Sequence, residues 1–411
     1  MSTTMMEPAA CAAPDGITTI GLAKLMSMAY RGEDFTPTWN GLAARLEHDA
    51  TDAAALMDMS TILQLTGQRD RGLQFQQVAL QISRLYRRPH GRGDGLKVLA
   101  FVVAGDFMAN TPLDFLFEGS DFELHLLYLQ LDGKLPDELP EHDVCFLAIS
   151  ESQEHQGILG RIQDKLATLP RPVVNGAADR IAALSRDGVC ALFEHDPGVV
   201  VAKTVRCERS ALEGMRETSD LSRLLPGEAF PIIVRPVGTH AGAGLSKLDG
   251  LEELRSYLQE RREEEFYLAP FIDYRSPDGL FRKQRIAFIG GKAFISHMAI
   301  SDHWMVHYLS AGMEESNDKR AQEAHFFEQF DTEFAVRHRA AFESLHRRIG
   351  LDYFGIDCAE LPDGRLLVFE VDVAMIVHSL DPEHLYPYKR PAMARLFAGF
   401  QASLEAAAAQ S

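Results

Sequence analysis

The spacing of hydrophobic positions changes along the chain, and this change divides the sequence into predicted units. From about residue 17 to residue 88, apolar side chains recur every three or four residues, as at Leu22, Leu25 and Met26, which predicts helices. A charged, glycine-rich stretch at 87–95 then interrupts the pattern. We therefore expect a flexible tail at 1–16, followed by an all-helical domain over 17–92.

After this break, short apolar runs alternate with helical patterns. Strands are predicted at 96–104, 124–129, 144–148 and 172–175, and helices at 156–169 and 177–185. This alternation is typical of a small parallel sheet of the doubly wound kind, so residues 95–200 are predicted to form an α/β domain. The stretch lacks the GxGxxG motif, and no dinucleotide site is predicted there.

The C-terminal half combines helices with antiparallel hairpins. We predict helices at 212–225, at 250–261 with Asp249 as N-cap, at 334–349 ending at Gly350, and at 383–406. One hairpin is expected to turn at 290–291 and another, over 353–371, at 362–364. We divide this half into a small subdomain at 201–276 and a C-terminal subdomain at 277–405.

Composition narrows the class of protein. The hydrophobic content of 46% and charged content of 24% are ordinary for a globular protein. A formal charge of −18 argues against nonspecific binding to nucleic acid or anionic membranes. The five cysteines form no CxxC pair, which indicates reduced thiols and a cytoplasmic location. Neither an apolar membrane span nor a signal peptide is predicted.

Three carboxylates lie on the otherwise apolar hairpin at 353–371 and just after it. They are Asp357, Glu370 and Asp372, and the last two project to the same face because they are two residues apart in a strand. Buried carboxylates require cations or hydrogen-bond donors, and an oxygen-only set suits Mg²⁺. The alternative is that each acid is salt-bridged to Arg or Lys, or faces water at a strand end.

A candidate phosphate site precedes this hairpin. Arg235 ends a buried strand, and the following loop contains Gly238, His240, Gly242 and Gly244. Glycines allow backbone N–H groups to surround phosphate oxygens. The loop is not a Walker loop, since no Gly-Lys-Ser/Thr follows, and a glycine-rich β-turn is the alternative.

Two further features bear on substrate. The helices on either side of Gly67 resemble one tetratricopeptide-type unit. A single unit does not form a stable solenoid, so packing on the rest of the chain is favoured over a peptide-docking role. His297, His303, His307 and His378 are expected to face a substrate, because no metal-binding motif surrounds them.

The order of these motifs over residues 96–404 resembles the ATP-grasp superfamily, and within it the glutathione synthetase and ribosomal-protein glutamate ligase branch. The resemblance implies two α+β subdomains that grip ATP, preceded by an α/β domain. It also implies roles for individual residues: phosphate binding by Arg235 and the loop of Gly238, His240, Gly242 and Gly244; an adenine hinge at Tyr267 and Leu268; ribose binding by Asp273; catalysis by Arg285 and Arg235; and Mg²⁺ binding by Asp357, Glu370 and Asp372.

The sequence departs from the superfamily pattern at two places. Glu370-x-Asp372 stands where the superfamily commonly has Glu-x-Asn, and Arg186-Asp187-Gly188 lacks a usual lysine, for which Lys203 is a candidate substitute. These departures affect the predicted phosphate contacts and the number of metal ions.

The function implied by the resemblance is an ATP-dependent carboxylate–amine ligase that forms an acyl-phosphate. Its partners would be ATP, Mg²⁺, and a small carboxylate and amine, or a peptide docked by the helical domain. Dimers are common in this superfamily, so a homodimer is an open expectation. Two alternatives remain at this stage: a nucleotide-binding regulatory protein without turnover, and an ATP-dependent kinase on the same fold.

Overall fold

The structure is a computed structural model that describes residues 16–239 and 242–410. The predicted tail at 1–16 lies outside the described residues except for Gly16. The described chain has mixed α/β architecture with three β-sheets, of six, four and five strands. The predicted fold class, α/β combined with α+β, is therefore confirmed.

The N-terminal part is mostly helical. Its elements are β1 (Ile17–Thr18), α1 (Leu22–Tyr30), α2 (Thr36–His48), α3 (Ala53–Leu65) and α4 (Arg69–Ile82). Asp52 starts α3 by accepting a hydrogen bond from the Ala55 N–H at 2.9 Å. Every residue of α3 from Ala53 to Leu63 is buried, so this helix packs against its neighbours and the sheet beneath, as expected for a unit that is not a free solenoid.

The α/β part follows directly. Its elements are β2 (Leu85–Pro89), β3 (Lys97–Val102), α5 (Leu113–Leu116), β4 (Glu123–Tyr128), β5 (Val144–Leu147), α6 (Gln156–Leu166), β6 (Val173–Val174), α7 (Ala178–Ala182) and α8 (Arg186–Phe193). The strand order is β1-β2-β4-β3-β5-β6, and the four strands β4, β3, β5 and β6 pair in parallel. The predicted parallel sheet is confirmed.

Two elements of this sheet come from the segment that was predicted to be all helical. Strand β2 pairs antiparallel with β4, and β1 pairs parallel with β2. The all-helical prediction for 17–92 is therefore wrong at Ile17–Thr18 and Leu85–Pro89. Both strands are fixed by partners far along the chain, which local spacing does not reveal.

The remaining strands form a four-stranded antiparallel sheet and a five-stranded sheet with one parallel pair of strands, and the elements are given in chain order in two sets. The first set is β7 (Val199–Val201), β8 (Val205–Glu208), α9 (Arg209–Glu213), β9 (Ile232–Pro236), β10 (Ser246–Leu248), α10 (Leu251–Gln259) and β11 (Glu265–Pro270). The second set is β12 (Phe281–Ile289), β13 (Lys292–Ser301), α11 (Asn317–Gln329), α12 (Ala335–Arg337), α13 (Arg339–Ile349), β14 (Tyr353–Glu360), β15 (Leu366–Asp372) and α14 (Lys389–Ala408). The sheets run β10-β9-β11-β8 and β13-β12-β14-β15-β7.

Several predicted helix details are wrong. Instead of one helix over 212–225, the chain forms α9 and a 3₁₀ turn at Thr218–Arg223. The Asp220 carboxylate accepts the N–H groups of Arg216 and Glu217, which competes with helical hydrogen bonds. Asp249 does not cap α10, because it pairs with Lys247 at 2.7 Å and Gly250 occupies the N-cap.

The helix predicted at 177–185 is shorter in the structure, and a second helix, which was not predicted, follows it and positions part of the cavity described below. Helix α7 ends at Ala182, and Ser185 then caps α8 by accepting the Gly188 N–H at 3.2 Å. The first residue of α8 is Arg186, whose side chain reaches β15. Among the described residues, no helix is long and apolar enough to cross a membrane.

Candidate functional site

A cavity of about 930 Å³ lies where the four-stranded and five-stranded sheets meet. Strands β9 and β11 contribute Arg235 and Tyr267 to its wall, and β12 contributes Lys283 and Arg285. Strands β14 and β15 contribute three further side chains, namely Asp357, Glu370 and Asp372. The structure thus brings most of the predicted site residues into one cavity of a size that suits a small-molecule ligand.

The register of the hairpin explains how the three carboxylates come together. Asp357 on β14 lies directly opposite Glu370 on β15, and a bulge follows at Asp357/Cys358. Directly opposite residues project to the same face of a sheet, and Asp372 shares that face because it is two residues from Glu370. All three acids therefore share one face, whereas the sequence had predicted this only for Glu370 and Asp372.

Asp357 is held by two cations in this structure. Arg285 donates Nε–H to Oδ1 at 2.8 Å and Nη2–H to Oδ2 at 3.1 Å, while Lys283 donates from Nζ to Oδ2 at 2.9 Å. Burial alone would raise the pKa of Asp357, but Arg285 and then Lys283 outweigh it and hold the pKa well below its usual range. The carboxylate is therefore ionised, and its charge is already compensated.

Glu370 is also paired with a cation, but with one instead of two. Arg186 donates Nη2–H to Oε1 at 2.8 Å and Nη1–H to the Phe369 carbonyl at 3.1 Å. Burial opposes ionisation, yet Arg186, with smaller contributions from Arg235 and Arg285, lowers the pKa of Glu370. Arg186 was not among the predicted site residues, although the Ser185 cap that places it is a signal present in the sequence.

Asp372 differs from the other two acids because no Arg, Lys or His side chain among the described residues forms an ion pair with it. Its Oδ1 accepts the Ala374 N–H at 2.8 Å. Burial, and next the neighbouring charge of Glu370, raise the pKa of Asp372 to about 7. The folded protein therefore holds a proton on this group at pH values where an unfolded chain would have released it.

This difference predicts a pH dependence that Asp372→Asn removes. The unfolded carboxyl titrates near pH 4 and the folded one near pH 7, so stability contributed by the bound proton is lost as pH rises through this interval. In EDTA-treated protein we expect Asp372→Asn to gain stability over the natural protein by roughly 1 kcal/mol per pH unit between pH 5 and 7. Urea unfolding at both pH values measures the gain, and an equal gain at pH 5 and pH 7 would contradict the prediction.

The residues fit a divalent cation only in part. Within residues 16–239 and 242–410, no group of three or more His, Cys, Asp or Glu side chains is arranged as a metal site. Asp357 is engaged by Arg285 and Lys283, whereas Glu370, which is partly exposed, and Asp372, which is buried, are two neighbouring carboxylates whose mutual repulsion a cation would relieve. Glu370 and Asp372 are thus the better candidates for Mg²⁺, and Asp357 as a ligand stays a prediction.

Arg235 has the clearest character of an anion-binding group. It is 6% exposed, and its Nη2–H groups contact the carbonyl and hydroxyl oxygens of Thr239. Its Nε–H is buried and has no hydrogen-bond partner among the described residues. Burial, and next the charge of Arg186, lower the pKa of Arg235 to about 10, so it remains a cation at neutral pH. A buried, incompletely satisfied guanidinium on a cavity wall is suited to a phosphate.

The glycine loop lies partly on the cavity. Gly238 and Gly242 line the wall, each with a φ of +76° that favours glycine. Gly244 faces away, since its carbonyl accepts the Tyr257 hydroxyl at 2.7 Å and a Cβ there would meet the Pro236 ring at 2.7 Å. His240 lies outside the described residues.

The other predicted nucleotide-binding residues divide into two groups. Tyr267 and Leu268 lie on the wall, although the Leu268 side chain is fully buried in the core of the small subdomain. Asp273 is away from the cavity and bound by Arg275, with an Nε–Oδ2 distance of 3.0 Å. Lys203 instead donates to the Pro226 carbonyl at 3.0 Å. The structure therefore does not bring Asp273 or Lys203 to the cavity.

Two carboxylates that were not predicted as site residues lie on the cavity wall near Tyr267. Glu151 and Asp187 both line the cavity. Burial raises the pKa of Tyr267, and the negative charges of Asp187 and Glu151 raise it further, so both carboxylates lie near Tyr267. Sequence analysis missed them because they belong to the loop after β5 and to α8 of the α/β part, far along the chain from the other site residues.

Comparisons with known proteins place the chain near one group of structures. No protein-family model matches it, and no curated protein matches it. A RimK-domain ATP-grasp protein from Sphaerobacter thermophilus is 14% identical, covers 75% of this chain and 99% of its own length, and has a TM-score of 0.43. The VanG D-Ala:D-Ser ligase from Enterococcus faecalis is 11% identical, covers 76% of this chain and 100% of its own length, and has a TM-score of 0.48.

A D-alanine–D-alanine ligase from Bacillus anthracis complexed with ATP is also similar. It is 13% identical, covers 77% of this chain and 98% of its own length, and has a TM-score of 0.44. At TM-scores below 0.5 this similarity supports no conclusion about activity or substrate, which rest on the geometry of the cavity.

Proposed function

We propose that this protein is an ATP-dependent carboxylate–amine ligase that works through an acyl-phosphate. The observation that carries the proposal is the buried Nε–H of Arg235, which has no partner among the described residues and lies on the same cavity wall as Glu370 and Asp372. A cation suited to phosphate beside acids suited to Mg²⁺ is the arrangement that a nucleoside triphosphate requires.

The positions of the side chains suggest a separate role for each in the reaction. Arg235 and Arg186 would bind phosphate oxygens, and the turns at Gly238 and Gly242 would cover them. When bound at Glu370 and Asp372, Mg²⁺ would neutralise charge on the phosphates. The substrate carboxylate would attack the γ-phosphorus and release ADP, with Arg285 beside the new acyl-phosphate; the amine would then displace phosphate and form the amide.

Melting experiments with Mg²⁺-ATP test the nucleotide part of this proposal. A ligand that binds only the folded state stabilises it by mass action and so raises the melting temperature. At a ligand concentration of a hundred times Kd, the stabilisation is about 2.7 kcal/mol. We expect millimolar Mg²⁺-ATP to raise the melting temperature of the natural protein, and Glu370→Gln to lose most of the rise.

The matched control is Asp363→Asn. Asp363 lies in the turn of the same hairpin, its side chain is 53% exposed, and it pairs only with Arg365 among the described residues. This variant should keep the full ATP-dependent rise. If neither ATP nor Mg²⁺ stabilises the natural protein, the nucleotide site is refuted; if ATP stabilises but no acid–amine pair yields ADP and phosphate, the ligase activity is refuted.

A nucleotide-binding protein without turnover is the second candidate, and one observation favours it. Lys283 and Arg285 together compensate Asp357, leaving it less suited to hold a cation. In this case Mg²⁺-ATP would stabilise the protein, but ADP would not form with any acid and amine. Removing the second cation by Lys283→Met would then leave turnover at zero, whereas a ligase would show a changed but measurable rate.

A further inference from the structure

One part of the cavity wall comes from helix α1, which lies outside the two sheets that carry Arg235, Glu370 and Asp372. Tyr30, the last residue of α1, lines the cavity and is 44% exposed. Its hydroxyl lies 3.1 Å from Nε2 of His378, and the two rings meet edge to face with centroids 5.1 Å apart. The helical N-terminal part therefore contributes directly to the binding cavity.

Hydrogen bonds fix the orientation of this pair. The Leu380 N–H donates to Nδ1 of His378 at 3.2 Å. Burial lowers the pKa of His378 to about 4, so the ring is neutral and its single proton lies on Nε2. Nε2–H then donates to the Tyr30 oxygen, which leaves the Tyr30 hydroxyl proton to be donated to a ligand. The group that faces Tyr30 should accordingly be a hydrogen-bond acceptor.

A cluster of one buried lysine and two carboxylates lies beside the pair. Lys389 is 3% exposed and contacts Asp381 at 2.9 Å and Glu323 at 3.3 Å. Glu323 is fully buried and accepts hydrogen bonds from the Met298 N–H and the Tyr388 hydroxyl. One lysine thus faces two carboxylates, and Asp381 is the carboxylate of this cluster that lies on the cavity wall.

The rest of this wall is apolar and close to the phosphate candidates. Met26, Ala29, Leu65 and Met375 line the cavity beside Tyr30. Arg285 connects the two regions, since it binds Asp357 and also donates Nη1–H to the Ile376 carbonyl at 3.2 Å. A ligand on this wall would therefore lie next to the group expected to hold the acyl-phosphate.

We propose that this wall binds the amine substrate, and that the substrate is a primary amine with an adjacent carbonyl group and an apolar side chain. Asp381 would attract the ammonium group, Tyr30 would donate a hydrogen bond to the carbonyl oxygen, and the apolar residues would surround the side chain. This assignment rests on the proposed ligase function and names the substrate class of that same cavity. It makes α1 a part of the small-molecule site.

The probe for this site is L-leucinamide, which carries all three groups. Its matched controls are 4-methylpentanamide, which lacks the amine, and glycinamide, which lacks the side chain. We expect L-leucinamide to stabilise the natural protein in melting experiments, with and without Mg²⁺-ATP, and each control compound to bind at least about tenfold more weakly.

Tyr30→Phe tests the residue itself. Because Tyr30 is half-exposed and the phenyl ring keeps its packing, the variant should fold normally and bind L-leucinamide about tenfold more weakly. Arg31→Met, on the neighbouring and 60% exposed residue of the same helix end, is the control and should bind normally. Equal binding by Tyr30→Phe, or no binding of L-leucinamide by the natural protein, would overturn the proposal.

The same experiment separates this proposal from the ligase function. Tyr30→Phe should keep the full Mg²⁺-ATP-dependent rise in melting temperature, since the hydroxyl that it removes contacts His378 and not Arg235, Glu370 or Asp372. A normal ATP response without an L-leucinamide response refutes only the substrate class. A missing ATP response in the natural protein refutes the nucleotide site, whatever L-leucinamide does.

Discussion

Replacing Arg285 by methionine is expected to lower the free energy of unfolding of the ligand-free protein by about 3 kcal/mol. Arg285 is the bidentate partner of Asp357, whose side chain is only 5% exposed. Removing one member of a buried pair leaves the other charge without adequate compensation, and Lys283 alone supplies a single contact to Asp357. Urea unfolding at neutral pH, in the presence of EDTA, measures the loss.

Two further variants show whether the loss of stability comes from the Asp357 carboxylate that Arg285→Met leaves without adequate compensation. Arg282→Met removes a cation from the same strand, but that arginine pairs with Asp278, whose side chain is 47% exposed, so a loss of less than about 1 kcal/mol is expected. The double variant Arg285→Met/Asp357→Asn should recover at least half of the single-variant loss, because the amide carries no charge. A double variant as unstable as the sum of both single variants would contradict this explanation.

The hairpin at the site illustrates what the sequence makes predictable. Its apolar strands, its Pro-Asp-Gly turn and the two-residue spacing of Glu370 and Asp372 are local features, and β14 and β15 form as they indicate. The same holds for the turn at Gly290–Gly291 and for Gly350, which ends α13 in the left-handed conformation. Patterns within about twenty residues therefore determined both the strands and the face on which the acids project.

What the sequence did not reveal are the partners that reach the site from other parts of the chain. Arg186 pairs with Glu370 across 184 positions, and Tyr30 meets His378 across 348. Asp273 was a plausible ligand by position, yet Arg275, two residues on, engages it. Motif order alone does not show which charged group finds a nearer counterion, because that depends on side-chain geometry in the folded protein.

The counterions of the three carboxylates explain why the observed acid cluster differs from the predicted one. Three carboxylates on one face of a sheet would repel each other when buried, so the fold must compensate them. In the described residues the compensation comes from Lys283, Arg285 and Arg186, which belong to β12 and α8. Of these three acids, only Asp372 has no ion-pair partner within residues 16–239 and 242–410, and it is the one of the three whose pKa is raised, to about 7.

Arg235→Met should change ligand-free stability and nucleotide binding in opposite directions. In the ligand-free protein Arg235 is buried, lies near the like charge of Arg186, and keeps an Nε–H without a partner among the described residues. Replacing such a charge by an apolar side chain of similar length should raise the free energy of unfolding by about 1 kcal/mol. The same change removes the candidate phosphate ligand, so Mg²⁺-ATP should bind roughly 30-fold more weakly, which corresponds to about 2 kcal/mol.

Melting experiments on one pair of variants, with and without Mg²⁺-ATP, measure both effects. Arg255→Met is the control, because Arg255 lies on α10 of the same part of the chain, is 48% exposed and pairs with Glu252; it should change neither quantity appreciably. A destabilised Arg235→Met that still binds ATP would mean that the guanidinium is a structural group held by Thr239. Higher stability together with weaker binding would mean that the fold keeps an unfavourable buried cation because the phosphate requires it.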